Sequence, residues 1–408
     1  MQQAAHYNFF DLLYRLPKGG EGIFATSGDH SNFQQMLAFD PVEQFTLTTE
    51  NLQQLEPFLK QQSGRLVGFV LSYQLGFELE NISSRHTSQE VLGIFYSYPN
   101  FICFNQDRAT LHFQDHDFAS TVDNLAKKPL PNQQSLPLIL GKSWTQAIYQ
   151  QKFNKVQDYI KSGDIYQVNL TQKISGTYAG SGLELFSRLT KANSPLYGGY
   201  LGYKDFEFIS QSPESFLKTN ASKVTTQPIK GTIARQNGTD DNEQIKALLD
   251  SDKEQAELFM ITDLLRNDLS KSCVPGSVKV NKSREIMTLN RVFHTYSEVE
   301  GQLKIDGTPL SLLLAAFPGG SITGCPKQRA MEIIDDLEDH PRGFYTGAFG
   351  FIDPEGDLNC AINIRSLIKT NDKIDFHVGG GVTVLSKMEE EFLEMEHKKN
   401  SVIANLDS

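Results

Sequence analysis

Hydrophobic and polar positions divide the chain into two stretches of different character. Over residues 1–140 the apolar residues come in short, aromatic-rich runs: LVGFVLSYQLGF (66–77), VLGIFYSYP (91–99), FICFN (101–105) and ATLHF (109–113). Such runs predict strands, because aromatic and β-branched side chains pack well on a pleated surface. Residues 122–142, punctuated by Pro129, Pro131 and Pro137, read as a loop into the second stretch. There the period lengthens. Ser143 can cap a helix that Gly163 stops, with Ile148, Val156, Tyr159 and Ile160 approximating a 3.6-residue stripe.

DIYQVNLTQKIS (164–175) follows as a strand, then a helix over 182–192 and several strands through 230. A helical stretch over 240–270 carries Leu248, Leu249, Phe259, Ile261 and Leu264. Strands at 277–282 and 292–299 lead to helices at 308–315 and 327–338; strands at 347–352, 359–367 and 373–378 and a charged helix from 388 complete the order. Many strands are joined by short turns rather than crossover helices. That favours antiparallel sheets with helices outside them, an α+β chain, over a Rossmann arrangement.

Composition narrows the function classes. The 408 residues suggest two or three units at about 150 residues each. A hydrophobic fraction of 39%, with 27 Phe and 14 Tyr, is ample for a large core and excludes general disorder. With 38 basic against 49 acidic residues the net charge is −11, the wrong sign for a nucleic-acid or anionic-membrane surface. There is no apolar run of about 18 residues to span a membrane, and no basic, then apolar, leader pattern at the N-terminus. Cys103, Cys273, Cys325 and Cys360 are far apart and show no CxxC spacing. Neither a disulfide framework nor a zinc knuckle is expected, and the cytoplasm is the expected compartment.

Several motifs carry chemistry only in combination. Gly319-Gly-Ser-Ile-Thr-Gly324 matches half of a phosphate-binding loop, but Cys325-Pro326 replaces the required Lys and Ser or Thr. It is either an ordinary helix entrance or one whose amides meet an anion. Gly379-Gly380-Gly381 would let backbone amides approach a ligand with no Cβ in the way, or is simply a turn. Glu254 with Glu257, and Glu391 with Glu394, sit at i,i+3 on expected helices. Each pair shares a helical face and suits a hard cation, with magnesium preferred over zinc, if it is not merely solvated. Lys230, in QPIKGT, is a solvated charge or, if buried with a lowered pKa, a nucleophile. His294 alternates along a strand as a structural or a catalytic histidine. Arg365, inside the apolar strand CAINIRSLI, needs an anionic partner, from the protein or from a ligand.

Nine segments in one order resemble the chorismate-utilising enzymes, the anthranilate synthase component I family, and within it the aminodeoxychorismate-forming branch. They are SGDIYQVNLTQ (162–172), SPESFL (212–217), QPIKGTIAR (227–235), KEQAELFMITDLLRNDL (253–269), VFHTYSEVEG (292–301), FPGGSITGCPKQRAMEIID (317–335), RGFYTGAFGFID (342–353), NIRSLI (363–368) and HVGGGV (377–382). The resemblance implies one interwoven α/β sandwich of two large packed antiparallel sheets with flanking helices. Residues 1–140 would be its divergent β-rich part and 141–408 its chorismate-binding catalytic region.

The resemblance also implies Mg²⁺ chemistry on chorismate. Glu257 and Glu394 would be the main metal carboxylates, with Glu254 and Glu391 acting through water, and the metal would hold the ring carboxylate. Arg365, Tyr345 and the backbone of Gly379, Gly380 and Gly381 would receive the enolpyruvyl carboxylate, while Thr323 and Gly324 line the pocket. Anthranilate-forming relatives read PIAGT where this chain reads PIKGT, so Lys230 resembles the lysine nucleophile that adds at C2 as the 4-hydroxyl departs. Glu214 would assist that departure beside His294, and ammonia would then enter at C4. Water-using relatives carry Lys where Gln167 stands, and glutamine is no base for water. The implied product is 4-amino-4-deoxychorismate, a p-aminobenzoate and folate precursor, with ammonia supplied by a separate glutamine amidotransferase subunit. Anthranilate formation and a catalytically inactive chorismate-binding homologue are the alternatives.

Overall fold

The structure is a computed structural model that describes residues 2–17, 19–28, 33–86, 91–105, 108–131, 136–235, 241–289 and 292–403. Its described strands form two antiparallel sheets. One runs Gln2–Ala5, Arg108–His112, Phe101–Asn105, Gln35–Ala38, Phe24–Gly28, Tyr197–Tyr203, Phe206–Ser212, Ser366–Thr370, Lys373–Thr383, Gln167–Thr177 and Gly324–Cys325, with Ile139–Leu140 beside Gln167–Thr177. The other runs Ile229–Ala234, Val292–Gln302, Lys223–Thr226, Ser215–Asn220, Leu358–Ile362, Ala348–Ile352, Leu66–Leu71, Gly93–Tyr98 and Glu43–Leu47, with Lys279–Thr288 on Val292–Gln302. Strands from the first 140 residues thus pair directly with later ones in both sheets: Phe24–Gly28 with Tyr197–Tyr203, and Leu66–Leu71 with Ala348–Ile352.

Period-2 alternation builds the layers. In Leu66–Leu71, Leu66 and Val70 face the layer between the sheets, while Val67, Phe69 and Leu71 face the helices outside. Both faces are covered, so the run reads as continuously apolar. Phe24 and Phe208 of the first sheet stack on Phe349 of the second, with centroids 5.2 and 5.5 Å apart. Gly199 makes room for them, since a Cβ there would stand 2.1 Å from the Phe349 ring. No helix among the described residues is long and apolar enough to cross a membrane.

Several local expectations change. The apolar run over 66–77 leaves the sheet after Leu71 and turns into the helix Leu75–Glu80, because apolar runs alone do not separate strand from helix. Residues 122–127, expected in a loop, complete the helix Phe118–Lys127, which buries Phe118, Val122 and Leu125. Thr145, not Ser143, caps the helix Gln146–Lys161, whose buried stripe is Tyr149, Phe153 and Val156 while Ile148 stays exposed. The stretch 240–270 breaks into Asp241–Leu249 and Asp252–Ser272, with Ser251 capping the second through Glu254 N; residue 240 lies outside the described residues. Finally, the expected strand 359–367 is interrupted at residues 363–365.

Phe349→Ala is expected to lower stability by about 3–5 kcal/mol, because the ring fills the layer joining the sheets. Urea unfolding should show a lower midpoint at unchanged slope.

Candidate active site

Two chain segments cross side by side from one sheet to the other, and each carries a functional side chain. Pro213-Glu214 joins Phe206–Ser212 to Ser215–Asn220, and residues 363–365 join Leu358–Ile362 to Ser366–Thr370. Backbone bonds tie the crossings to their neighbours, Gln211 N to Arg365 O at 3.2 Å and Ile362 N to Glu214 O at 3.2 Å. Arg365 is therefore not a strand residue. It sits in the left-handed region at φ 51°, a conformation that bulky L-residues adopt only when their surroundings impose it. Its guanidinium has no ion pair or hydrogen bond among the described residues, and burial lowers its pKa without a compensating acid.

Lys230 is aimed by a β-bulge. Ile229–Ala234 pairs with Val292–Gln302, but the register slips between Lys230 and Thr232, leaving Gly231 as the extra residue at φ +73°. Lys230 Nζ lies 3.3 Å from Glu257 Oε2. Burial alone would lower the pKa of Lys230, but Glu257, Glu394 and Glu214 outweigh it and raise it. The lysine is an ammonium here, the opposite of the lowered value that a free nucleophile requires. His294 stands opposite Thr232, with Nδ1 2.8 Å from Thr232 Oγ1 and 3.3 Å from Gly231 O. Burial first, and then Arg365, push its pKa down to about 4, so the ring is neutral at pH 7.

The three glycines do not form a turn. They lie inside the strand Lys373–Thr383, where Gly379, Gly380 and Gly381 pair with Thr171, Leu170 and Asn169. A Cβ at Gly379 would stand 2.1 Å from Leu170 O, and one at Gly381 would stand 3.1 Å from Gln167 Nε2 and 3.4 Å from Lys230 Nζ. Gly381 thus opens the space between Gln167 and Lys230. Gln167 is fully buried, and neither its Oε1 nor its Nε2 has a hydrogen-bond partner among the described residues.

Both carboxylate pairs reach the same cavity of 1470 Å³, from the helices Asp252–Ser272 and Met388–Ile403; Lys230, His294, Arg365 and Gly381 also line it. Three of the four acids hold a lysine: Glu257 holds Lys230, Glu391 holds Lys253 at 3.0 Å, and Glu394 holds Lys398 at 2.7 Å. Glu254 has a raised pKa, through burial and then the like charge of Glu257. As arranged, no three metal-ligating side chains among the described residues stand close enough to hold an ion. The donor chemistry nevertheless fits magnesium: four hard oxygen ligands, no thiolate or imidazole among them, and a carboxyl strained by like charge.

Thr323, Gly324 and Tyr345 stand behind the wall rather than on it, and Glu214, Gln167, Gly379 and Gly380 are likewise not among the lining residues. Thr323 is fully buried and its hydroxyl donates to Gly319 O, while Gly324 pairs with Val168. Tyr345 stacks on His377, with centroids 4.9 Å apart. Lys253 and Lys398 were missed. Lys398 was legible as the i+4 partner of Glu394, whereas nothing in the sequence marks Lys253.

A family model described as chorismate binding enzyme matches residues 17–404, and the chain belongs to that family. Among curated relatives, the aminodeoxychorismate synthase component 1 of Escherichia coli is 40% identical over 264 residues, 64% of this chain and 58% of that protein. The anthranilate synthase component 1 of Saccharolobus solfataricus is 38% identical over 253 residues, 61% of this chain and 60% of that one. The match therefore spans about three fifths of each relative's length. Two solved structures share the fold. The anthranilate synthase component I of Streptococcus pneumoniae superposes with a TM-score of 0.80 at 24% identity, covering 93% of this chain and 92% of that one. The menaquinone-specific isochorismate synthase of Escherichia coli gives 0.77 at 16%, covering 100% and 94%.

Burial raises the Glu214 carboxyl from 4.5 to about 7, with Lys230 and Lys398 acting in the other direction. The folded chain then binds a proton that the unfolded chain has released, so this group's stability contribution declines as pH rises from 4.5 to about 7. Urea titrations across that window should show wild type losing stability relative to Glu214→Gln, with a constant difference above it. A constant difference throughout would mean an ordinary carboxyl.

Proposed function

We propose that the chain aminates chorismate at C4, giving 4-amino-4-deoxychorismate. One observation carries this reading: a half-buried arginine with no acidic partner shares a cavity with a lysine set against carboxylates. The 40% identity to an aminodeoxychorismate synthase component 1 supports the same branch.

Arg365 receives the enolpyruvyl carboxylate, the anion its environment lacks. Magnesium held by Glu254, Glu257, Glu391 and Glu394 would take the ring carboxylate and neutralise the two acids that do most to keep Lys230 protonated. Lys230 then releases its ammonium proton to solvent and, as the amine, forms a bond to C2. Both double bonds of the conjugated ring diene shift by one position and the C4 hydroxyl leaves as water, carrying the proton of Glu214, whose pKa near 7 leaves it protonated in a large fraction of molecules. Ammonia then adds at C4 and gives a proton to the Glu214 carboxylate, both double bonds return to their places, and the Lys230 amine is expelled from C2. Covalent catalysis of this kind divides one hard substitution into two easier ones. Neutral His294 is held by Thr232 and Gly231 beside Arg365, and there it hydrogen-bonds the departing hydroxyl. The unpartnered amide of Gln167 offers a carbonyl to the N–H of ammonia and no base for water. In this reading the ammonia comes from a glutamine amidotransferase subunit in the cytoplasm, and the product serves p-aminobenzoate and folate synthesis.

Incubating the chain with chorismate, Mg²⁺ and an ammonium salt should yield 4-amino-4-deoxychorismate by chromatography and mass spectrometry. Glu214→Gln should slow the reaction about 10²–10⁴-fold, the usual contribution of a general acid. Anthranilate as the product would move the chain to the other branch, and no turnover would make it a binding homologue.

A further inference from the structure

Behind the cavity lies an ion pair that touches neither the lining acids nor Lys230. Arg342 is 2% exposed, and its ring of acceptors takes up all five N–H groups of the guanidinium. Nε and Nη2 meet Glu338 Oε2 and Oε1 at 2.9 and 2.7 Å. Nη2 also donates to Asn169 O at 2.6 Å, and Nη1 to Ile322 O at 2.8 Å and Thr346 Oγ1 at 3.4 Å. Glu338 is bound in turn by Thr171 N at 2.9 Å and Thr171 Oγ1 at 2.8 Å.

These acceptors belong to three separate segments. Asn169 and Thr171 lie on the strand that carries Gln167 and pairs with the glycines. Ile322 precedes Thr323, whose carbonyl accepts from Asn169 N at 2.8 Å. Thr346 follows Tyr345, whose own N–H donates to Arg342 O at 3.1 Å. Desolvating an arginine and a glutamate is costly, and apolar side chains of the same volume usually stabilise a core as well or better. What they cannot supply is a rigid planar fork that ties two backbone carbonyls and one hydroxyl, from three segments, to one another.

We propose that Arg342, seated by Glu338 and Thr171, is a positioning residue for the substrate face of the cavity. It locks the Gln167 strand, the 322–323 turn and the 345–346 turn into one unit. That unit sets the gap between Gln167, Gly381 and Lys230. This inference rests on the reading of the cavity as a chorismate site. The four carboxylates sit on two other helices, so the clamp governs how the organic substrate is held and leaves the metal response alone.

The test compares Arg342→Lys and Thr171→Val with wild type, well below their melting temperatures, varying chorismate and Mg²⁺ separately. Arg342→Lys keeps the charge and loses the fork. It should lower kcat/KM for chorismate on the order of 100-fold, as misplacement of a reacting group by about 1 Å does. Its half-saturating Mg²⁺ concentration, measured at saturating chorismate, should stay unchanged. Thr171→Val removes one hydroxyl bond and should show the same signature more weakly, and the two losses should combine non-additively. If Arg342→Lys fails to fold, Thr171→Val decides alone. Wild-type kcat/KM in the folded variants, or equal losses toward chorismate and Mg²⁺, would overturn the proposal. Arg365→Ala separates the two levels. If it loses chorismate turnover while the clamp variants do not, only the clamp is wrong; if it loses nothing, the chorismate reading falls and the clamp's role falls with it.

Discussion

Charge crowded into one cavity is the constraint around which this molecule is arranged, with Glu257 and Glu391 buried and Glu394 exposed at the rim. Four carboxylates, Glu254, Glu257, Glu391 and Glu394, share one cavity with Lys230, Lys253, Lys398 and Arg365. An ionised group taken out of water needs a partner close by, and three lysines supply one to three acids. Glu254 and Arg365 are left over, the first strained by burial and then by like charge, the second by burial alone. With Lys191, whose ammonium lies over the rings of Phe10 and Tyr14, the lining carries five cations against four carboxylates, a surplus of one that falls short of a dianion. A divalent cation and a dicarboxylate together would satisfy both leftovers and keep the balance. The chain's overall charge of −11 has no part in this, because the field at the site is set locally.

The sandwich makes folding and site assembly one event. The first sheet contributes Gln167 and Gly381, the second contributes Lys230 and His294, and the two crossing segments between the sheets contribute Glu214 and Arg365. The stacked Phe24, Phe208 and Phe349 fix the spacing between the sheets. That spacing sets the reach from Arg365 to Lys230. On the outer faces, the helices Asp252–Ser272 and Met388–Ile403 carry the carboxylates over the rim.

Much of this was legible in the sequence, for identifiable reasons. Short aromatic runs marked Leu66–Leu71, Gly93–Tyr98, Phe101–Asn105 and Arg108–His112 but not Phe24–Gly28, Gln35–Ala38 or Glu43–Leu47, and the i,i+3 acids did reach one cavity from two helices. The gaps are equally physical. Arg365 looked like a strand residue because Ile364 and Leu367 flank it, yet a left-handed turn that no local pattern marks places it at a crossing. Gly379 to Gly381 suggested a turn or a ligand approach, whereas they lie inside a paired strand, where close approach to Leu170 and Thr171 demands glycine at Gly379 and Gly381 leaves room beside Gln167 and Lys230. The bulge at Gly231 overrides the alternation that would otherwise decide where Lys230 points. Lysine pairing is tertiary, so neither Lys253 nor the raised pKa of Lys230 has a signature in the chain.

Calorimetric titration of chorismate into the purified chain, once with Mg²⁺ and once with a chelator, tests the charge balance most directly. Saturable binding with Mg²⁺, and binding at least tenfold weaker without it, is the predicted result, since about 1.4 kcal/mol of lost charge pairing already gives that factor. Equal affinity under both conditions would contradict it, because the cavity would then hold a dianion with no added positive charge.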